Sequence, residues 1–379
     1  MAGQLKVNGV TLATEESGTV TLEAPQIKDS SNNVILDQSG TNPVLKNVEV
    51  VNNSSMMFRN RIINGGMQIA QRGTSHQHDI YGSGDLPYNL DRFCSGRTNI
   101  TNAGNVIITQ IAGGGQKHAI YQLTATLASD VFFTIRQHIE GFNCFDLAGK
   151  QVTVSFKVKT NKAGNYGVSF YDGTGSTGIT PQSITVSSAD ASAENKVSYS
   201  KTFTMPSSIT ADNASRLRLD ICLAAHSSRE GEYYPTGGSQ VNLFDSTSNY
   251  FEIYEIQLEE GTVATQFEHR PYGTELALCQ RYYTEASPNF AFAYNSTQVT
   301  SQCVFNEMRS NPSASKKSGD GNIDPISGAT ISPSSVSDNF YVYDNKSVLI
   351  NSYNFSGLTV NKVYWYGPSN LIVSLSAEL

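Results

Sequence analysis

The residues of this chain that could bind a metal ion are few, and two histidines are the most distinctive. His76 and His78 are separated by one residue. In an extended segment, residues two apart face the same side, so this pair could bind one metal ion. The neighbouring sequence offers no third ligand. The pair is therefore a candidate metal site, with a solvated polar loop as the alternative.

A hydrolytic site would need paired carboxylates or a nucleophile beside a base. Glu140 and Glu252 lie in segments that resemble strands and could meet across a sheet, but such pairs arise by chance among 33 Asp and Glu. The chain contains neither G-x-S-x-G nor H-E-x-x-H, the motifs of common serine hydrolases and zinc proteases. The sequence therefore predicts no enzymatic activity and no catalytic residue.

The composition favours strands and excludes several classes of partner. Charged residues make up 16% of the chain, against roughly 25% in ordinary globular proteins, and there are 19 Tyr and 17 Phe. The net charge is -7 without a basic run, which argues against nucleic acid. No apolar stretch approaches the roughly 18 residues of a membrane span, and the start lacks the apolar core of a signal peptide. Five scattered cysteines without C-x-x-C predict reduced, buried thiols: Cys94, Cys144, Cys222, Cys279 and Cys303.

The hydrophobic pattern predicts an all-β protein with one short connecting helix. Val152, Val154, Phe156 and Val158 alternate with polar residues, as in a strand with one buried face. Residues 272–284 show helical spacing. We therefore predict four parts: a thin β-rich N-terminal segment at 1–56 that gains its core by oligomerisation or by association with another protein, an antiparallel β-sandwich at 57–271, the helix at 272–284, and a small C-terminal β domain at 285–379.

Two segments about two hundred residues apart resemble a known family. They are FRNRIINGGMQIAQRGTS at 58–75, with YNLDRF at 88–93, and QLEEGTVATQFEHRPY at 257–272, which continues to residue 283. They resemble the opening and closing elements of a carbohydrate-binding-module-like jelly roll in bacteriophage tail-fibre or virion-fibre proteins, especially of marine phages and cyanophages. The resemblance spans roughly 57–283 and implies a jelly roll with a concave face.

The resemblance also implies one possible cofactor. Modules of this kind often hold a structural calcium ion between the N-terminal strand and the last strand. The matching residues here are Asn64 and Gly65, with Glu252 or Glu255 on the far side, but Gln68 stands where the family usually has Glu. A neutral amide is a weaker ligand for a hard cation. No cofactor is required by the sequence, and calcium is the one candidate.

Tyrosines near loops and strand ends are the candidate glycan-binding residues. Sugar rings stack their apolar faces on flat side chains while polar neighbours bind the hydroxyls. The alternative for each tyrosine is that it packs in the core or in a subunit interface. The candidates are Tyr88, Tyr166, Tyr171, Tyr233, Tyr234 and Tyr250.

Taken together, these patterns indicate a non-catalytic fibre or adhesin subunit of a phage, bound to the virion surface and made in the bacterial cytoplasm. The expected partners are two further copies in a homotrimer, other virion proteins through the N-terminal segment, and a glycan of the host surface, with no nucleic acid and no membrane insertion. The first alternative is a capsid-decorating or other structural virion protein without glycan binding. The second is a polysaccharide depolymerase.

Overall fold

A computed structural model of the chain describes two parts of the sequence. Of residues 1–57, it describes the backbone of six strands. Of residues 58–379, it describes all but 80–81, 86, 101–104, 123–126, 128–129, 173–177, 194, 320, 326–329, 336 and 367–370. The chain divides into two compact units, Met1–Met57 and Phe58–Leu379.

The N-terminal unit consists of two small antiparallel sheets. Its strands are β1 (Gly3–Val7), β2 (Val10–Glu16), β3 (Thr19–Leu22), β4 (Gln26–Lys28), β5 (Val34–Asp37) and β6 (Val44–Leu45). The sheet orders are β1-β2-β3 and β4-β5-β6. Sheets this small bury little apolar surface by themselves.

Twelve further strands form a two-sheet antiparallel sandwich. They are β7 (Ser75–Asp79), β8 (Gly82–Asp85), β9 (Cys94–Ile100), β10 (Asn105–Gln110), β11 (Gln116–Gln122), β12 (Phe132–Glu140), β13 (Gln151–Thr160), β14 (Gly164–Asp172), β15 (Gln182–Val186), β16 (Val197–Thr204), β17 (Ser215–Ala225) and β18 (Tyr250–Glu260). The first sheet has the order β16-β13-β18-β11-β10-β7, and the second has β15-β14-β17-β12-β9-β8. The predicted all-β sandwich is confirmed.

The core of the sandwich lies between the two sheets and follows the alternation seen in the sequence. Val152, Val154, Phe156 and Val158 of β13 are at most 2% exposed. Residues at every second position of β17 belong to the same apolar cluster. The intervening residues of each strand face away from this core, so each sheet also presents an outer face.

The last hundred residues add two more antiparallel sheets. Their strands are β19 (Tyr283–Ala286), β20 (Phe290–Ala293), β21 (Val299–Val304), β22 (Ser313–Ser318), β23 (Ile323–Pro325), β24 (Asp338–Val342), β25 (Ser347–Ser352), β26 (Val363–Tyr366) and β27 (Ile372–Ser376). The sheet orders are β19-β27-β22 and β23-β26-β20-β21-β25-β24. They enclose an apolar cluster of their own, which includes Val299, Ile350 and Val373.

Two α-helices occur in the described part of the chain. The predicted connecting helix is α2 (Tyr272–Gln280), and the predicted segment also contains the start of β19. A second helix, α1 (Ser188–Ala193), was not predicted; the Ser187 hydroxyl accepts a hydrogen bond from the Asp190 N–H at 3.0 Å at its start. Neither described helix has the length and hydrophobicity that a membrane span requires.

Candidate functional site

The two segments that carry the family resemblance contact each other directly. The Asn60 side chain accepts hydrogen bonds from the N–H groups of Ile62 at 2.9 Å and Leu258 at 3.0 Å. Its amide nitrogen donates to the Ile256 carbonyl at 3.1 Å. One buried asparagine thus satisfies the backbone of both the opening segment and the last sandwich strand.

The Asn64-Gly65-Gly66 turn is fixed against the same strand. The Gly65 carbonyl accepts a hydrogen bond from the Ile256 N–H at 3.0 Å. A Cβ atom at Gly65 would lie 2.1 Å from the Ile256 carbonyl oxygen, so only glycine fits there. The buried Asn64 has a φ of 59° and joins three neighbouring backbone groups, two from Ile69 and one from Asp91, at 2.9–3.0 Å.

Arg92 joins the sandwich to the C-terminal sheets. It is 1% exposed, and its guanidinium carbon lies 3.6 Å from the centre of the Tyr282 ring. It donates to the His138 carbonyl at 2.6 Å and forms an ion pair with Glu378. A buried cation in this position is stabilised by an aromatic face and by an opposite charge.

Arg72 repeats this arrangement beside Arg92. Its guanidinium lies 3.6 Å from the centre of the Tyr283 ring and 3.0 Å from the second oxygen of Glu378. Nearby, the Tyr88 hydroxyl donates to the Leu379 carbonyl at 3.2 Å. We call Arg72, Arg92, Tyr282, Tyr283 and Glu378 the arginine clamp. The motifs of the resemblance therefore contribute four of the five clamp residues, which join two parts of the Phe58–Leu379 unit.

The calcium ligands suggested by the resemblance already accept hydrogen bonds on the opening side. The Asn64 side-chain oxygen accepts the Ile69 N–H, and the Gly65 carbonyl accepts the Ile256 N–H. Both oxygens are thus already engaged by backbone donors. A calcium ion would need several oxygens that are free to converge.

The two glutamates on the far side also have partners within the chain. Glu252 accepts a hydrogen bond from Tyr254 and lies 3.5 Å from the Lys117 ammonium. Glu255 forms an ion pair with Lys157 at 2.6 Å. Each carboxylate therefore pairs with a lysine, and the calcium role of these four residues stays a prediction.

His76 and His78 lie on β7, at the edge of the first sheet, with their rings stacked 6.1 Å apart. One ring nitrogen of each is already hydrogen-bonded, His76 to the Gly73 carbonyl at 3.0 Å and His78 to Asn89. Burial lowers the pKa of His78. The metal role of this pair stays a prediction.

Several of the candidate tyrosines lie in positions that a sugar cannot reach. Tyr166 is 0% exposed and packs on Phe251, Tyr233 is 2% exposed, and Tyr234 is 3% exposed. Tyr88 is engaged at the arginine clamp. The three buried rings serve packing, because a buried ring has no face free for stacking. Tyr171 and Tyr250 are half-buried, and Tyr250 lies under the ammonium of Lys117 at 4.4 Å.

Tyr171 belongs to a polar network on the outer face of the second sheet. At its centre, Asp220 of β17 is fully buried and accepts hydrogen bonds from Arg136 at 2.6 Å, Arg218 at 2.7 Å and Thr134 at 2.8 Å. Burial alone would raise the pKa of Asp220, but the two guanidinium groups outweigh it and lower that pKa. We call this surface the Asp220 face.

The strand register places these side chains in two rows across the sheet. Ser169, Asp220, Arg136 and Cys94 are paired in one row. In the next row Tyr171 pairs with Arg218, and Arg218 pairs with His138. The first row is buried, and the second row is partly exposed. The second row is therefore the part that a ligand can reach.

Two buried polar atoms of the first row have no hydrogen-bond partner. They are the Nη2 atom of Arg136 and the hydroxyl of Ser169. Arg136 is 5% exposed, and its guanidinium lies flat on Gly96, where a Cβ atom would come within 2.2 Å of it. Unpaired buried donors of this kind mark a site that a polar ligand or water would complete.

The exposed row contains a ring that is held flat. The Arg218 guanidinium lies 4.1 Å from the centre of the Tyr171 ring, and the Tyr171 hydroxyl donates to Glu232 at 3.2 Å. Arg218 is in turn fixed by Asp220. The arrangement offers an oriented aromatic ring beside charged hydrogen-bonding groups, which is a combination that suits a sugar.

His138 links this row to two further polar groups. Its Nε2 atom lies 3.0 Å from Asp85, and its Nδ1 atom lies 2.9 Å from the Ser215 hydroxyl. Burial opposes the ionisation of Asp85, but the His138 hydrogen bond and the Arg136 charge outweigh it and lower its pKa to about 2. Asp85, His138 and Ser215 thus form a continuous hydrogen-bonded chain.

Cys94 lies close to this chain but does not act as a reactive thiol. Its sulfur lies within 4.8 Å of the Asp85 and His138 ligand atoms. Burial, and then the charge of Asp85, raise its pKa well above the usual range of a thiol. Arg136 pairs with Asp85 as well. A cation there would have to displace this guanidinium, so the three residues do not fit a metal site.

The chance pair of acids noted in the sequence does not form a catalytic site. Glu140 of β12 is fully buried and binds Arg281 at 2.6 Å and the Tyr282 hydroxyl at 2.7 Å. Glu252 belongs to β18 in the other sheet. The two carboxylates therefore serve separate polar networks.

Sequence reasoning missed the Asp220 face, although a signal was present. Arg216, Arg218 and Asp220 stand at alternate positions of a strand whose other positions are apolar, and β12 has Arg136 and His138 in the same pattern. Charged residues at every second position of two paired strands indicate a shared polar face.

Comparisons with protein-family models and with curated proteins found no match. Among solved structures, the chain is similar to a carbohydrate-binding module of family CBM4, with a TM-score of 0.28 and 13% identity over 52% of this chain and 98% of that chain. It is also similar to the enzymatically active domain of tailspike protein 4 of bacteriophage CBA120, with a TM-score of 0.25 and 11% identity over 53% of this chain and 21% of that chain.

A third similar structure is the CBM22–GH10 part of a Clostridium thermocellum endo-1,4-beta-D-xylanase, complexed with xylohexaose. The TM-score is 0.27 and the identity 12%, over 51% of this chain and 30% of that chain. The fold assignment made above follows from the strand order and the core residues of this chain, and not from these similarities.

Proposed function

We propose that this chain is a non-catalytic, glycan-binding subunit of a phage fibre, and that the exposed row of the Asp220 face binds the glycan. The observation that carries this proposal is the Tyr171 ring held flat by Arg218, beside His138. A sugar would stack on the face of the Tyr171 ring opposite Arg218 and exchange hydrogen bonds with the neighbouring polar groups. Attachment to a virion is suggested by the sequence resemblance.

A glycan array with the full-length chain tests the binding step. We expect Tyr171→Ala to weaken binding of the array hits by roughly fivefold, because one aromatic contact is worth about 1 kcal/mol. Tyr272→Ala is the matched control, since Tyr272 is 59% exposed and lies in α2, outside this face. Equal loss in both variants, or no binding by the wild type, would contradict the proposal.

Oligomerisation belongs to the same proposal. The two N-terminal sheets have only three strands each, and closed symmetry removes their open edges. We expect a homotrimer, which would also raise avidity for a repeated glycan by roughly 10²–10⁴. Mass measurement of the full-length chain at micromolar concentration checks this, and a monomer would contradict it.

A second candidate function rests on the chain of Asp85, His138 and Ser215. A serine beside a histidine that contacts an aspartate can act on acyl groups, such as the esters of an acylated polysaccharide. Against it, two backbone donors near Ser215 are already used: Gly141 donates to Ala214 and Phe142 to Asp212. The N–H groups of Gly141 and Phe142 are therefore not free to stabilise an oxyanion.

Hydrolysis assays separate the two candidates. The wild-type chain and Ser215→Ala are incubated with p-nitrophenyl acetate and with acylated polysaccharide, and released acid is measured. Release by the wild type that Ser215→Ala abolishes would favour the hydrolase. Glycan binding that Ser215→Ala leaves unchanged, without release of acid or reducing sugar, would favour the non-catalytic adhesin.

A further inference from the structure

Strand β20 has an inverted side-chain pattern. Ala291 and Ala293 point into the C-terminal core and are at most 1% exposed, whereas Phe290 and Phe292 point outward and are 49% and 43% exposed. Burying a phenylalanine in place of an alanine normally stabilises a fold by a few kcal/mol. An outward pair of phenylalanines in a regular strand therefore calls for a role outside the core.

The neighbouring strand β26 repeats the inversion. Tyr364 and Tyr366 are buried, whereas Val363 and Trp365 are 44% and 46% exposed. Phe290 pairs directly with Trp365, and their ring centres lie 4.5 Å apart. Phe292 pairs with Val363. Four large apolar side chains thus form one continuous patch, which we call the Trp365 platform.

Polar but uncharged side chains continue this face across the sheet. Thr300 pairs with Phe292 on one side and with Asn351 on the other, and the Thr300 hydroxyl donates to the Asn351 side chain at 2.9 Å. Asn339 extends the same row. The next row is mixed, with the exposed Gln302 beside the partly exposed Leu349 and Tyr341. On β26, β20, β21, β25 and β24, the described outward positions carry no charged side chain.

We propose that the Trp365 platform is a second glycan-binding site, specific for a neutral polysaccharide. The proposal rests on the proposed function, that the chain binds glycans, and adds a site on a different sheet from the Asp220 face. The flat aromatic pair would stack on the apolar faces of sugar rings, and the row of hydroxyl and amide groups would bind their hydroxyls.

Charge decides between neutral and acidic glycans. The chain carries a net charge of -7, and the platform contains no lysine or arginine among its described outward residues. Among the described residues of the neighbouring strand β23, the acidic Asp324 pairs with Trp365. An acidic polysaccharide would find no counter-charge here and would be repelled, whereas a neutral one would not.

The exposed area of the platform favours a sugar over a second copy of the chain as its ligand. Four side chains that are a little under half exposed present on the order of 300–400 Å² of surface. A stable protein interface buries roughly 800 Å² on each partner. The apolar patch is about half of that, and on the β21 side it borders Thr300 and the amide groups of Asn351 and Asn339. Sugar hydroxyls can satisfy those amides, whereas an apolar partner surface would leave them unpaired.

The chain contains one tryptophan, so intrinsic fluorescence reports directly on this platform. The full-length chain is titrated with cellohexaose, xylohexaose and mannohexaose, and with hexagalacturonate as the acidic comparison. We expect a saturable blue shift of Trp365 emission with at least one neutral hexasaccharide and none with hexagalacturonate. Phe290→Ala should reduce the affinity by roughly tenfold.

Tyr171→Ala and Tyr272→Ala are the controls, and both should leave the fluorescence titration unchanged. Array binding that Tyr171→Ala weakens, with no Trp365 response to any sugar, would overturn the second site and leave the proposed function standing. Absence of binding in both assays would overturn both. The proposal would also be overturned if the mass of the wild-type chain rose with concentration while Trp365→Ala kept the mass of the smaller species. The platform would then be a contact between protein chains.

Discussion

Gly65 is the residue whose identity the structure explains most directly. Its Cα lies so close to β18 that an added Cβ would be 2.1 Å from the Ile256 carbonyl oxygen, which also accepts the Asn60 side chain. We expect Gly65→Ala to lower the free energy of unfolding by roughly 1–3 kcal/mol or more, because backbone must move. Thermal and denaturant unfolding measure this.

The adjacent glycine supplies the control. A Cβ at Gly66 would meet the Phe267 ring at 3.6 Å, an ordinary contact. Gly66→Ala should therefore change stability by less than about 0.5 kcal/mol. Unfolding of the two variants at the same denaturant concentration would contradict the close approach of the turn to β18.

His118 makes the stability depend on pH. It is fully buried on β11, and burial, followed by the charge of His78, lowers its pKa to about 3. In the unfolded chain its pKa is near 6.5, so between pH 6.5 and 3 the unfolded state binds one proton more. Stability should then fall by about 1.4 kcal/mol for each pH unit of acidification in this window.

Denaturant titrations of the wild type and His118→Gln between pH 7 and 4 measure this slope. Burial also lowers the pKa of His78, so His78 contributes to the pH slope with the same sign as His118. The variant should therefore show a shallower slope, but not a flat one. An unchanged slope would show that His118 does not remain neutral in the fold.

Residue types alone located the turn at Asn64 and Gly65, but not its role. Glycine and asparagine are typical of backbone positions that need a positive φ or a close approach to another segment. Asn64 has the positive φ here, and Gly65 makes the close approach. What the turn approaches is a strand nearly two hundred residues away. Likewise, a tyrosine beside polar residues has the same local sequence whether it is buried, as Tyr166 is, or half-buried, as Tyr171 is. Burial is set by the loops that cover it.

At the scale of elements, β13 follows its sequence pattern closely. Phe156 is 2% exposed within the sandwich core. Phe156→Ala should lower the free energy of unfolding by roughly 3–5 kcal/mol, because it removes a buried ring and leaves a cavity. Chemical denaturation checks this, and wild-type stability would contradict the position of this strand. Phe292→Ala, on the exposed side of β20, should change stability by much less.

The contrast between β13 and β20 shows where pattern reasoning ends. In β13 the apolar positions alternate with polar ones, so only one assignment of faces is reasonable. In β20 phenylalanine alternates with alanine, and both sets are apolar. The space between the sheets determines which set is buried, because Tyr364 and Tyr366 of the paired strand already occupy that space. Only small residues fit opposite them, and the phenylalanines are directed outward.

At the scale of the whole Phe58–Leu379 unit, the arginine clamp unites its parts. Glu378 pairs with both Arg72 and Arg92, and its side chain is 7% exposed. We expect Glu378→Gln to lower the free energy of unfolding by roughly 3–5 kcal/mol, because it leaves a buried cation without its counter-charge. Two-state analysis of denaturant curves measures this loss.

An exposed ion pair provides the comparison. Lys150 and Glu260 lie 2.8 Å apart with side chains 41% and 51% exposed. Glu260→Gln should change stability by less than about 1 kcal/mol. Equal effects in the two variants would mean that Arg92 is hydrated rather than held by Glu378.

The clamp also sets an order of events during synthesis. Arg92 and Glu378 are 286 residues apart in the sequence. At roughly 5–20 residues per second, the ribosome synthesises Glu378 on the order of 15–60 s after it has synthesised Arg92. For that time the emerging sandwich carries an uncompensated cation at a surface that will later be buried. A nascent chain that stalls before residue 378 would therefore expose this surface to chaperones and proteases.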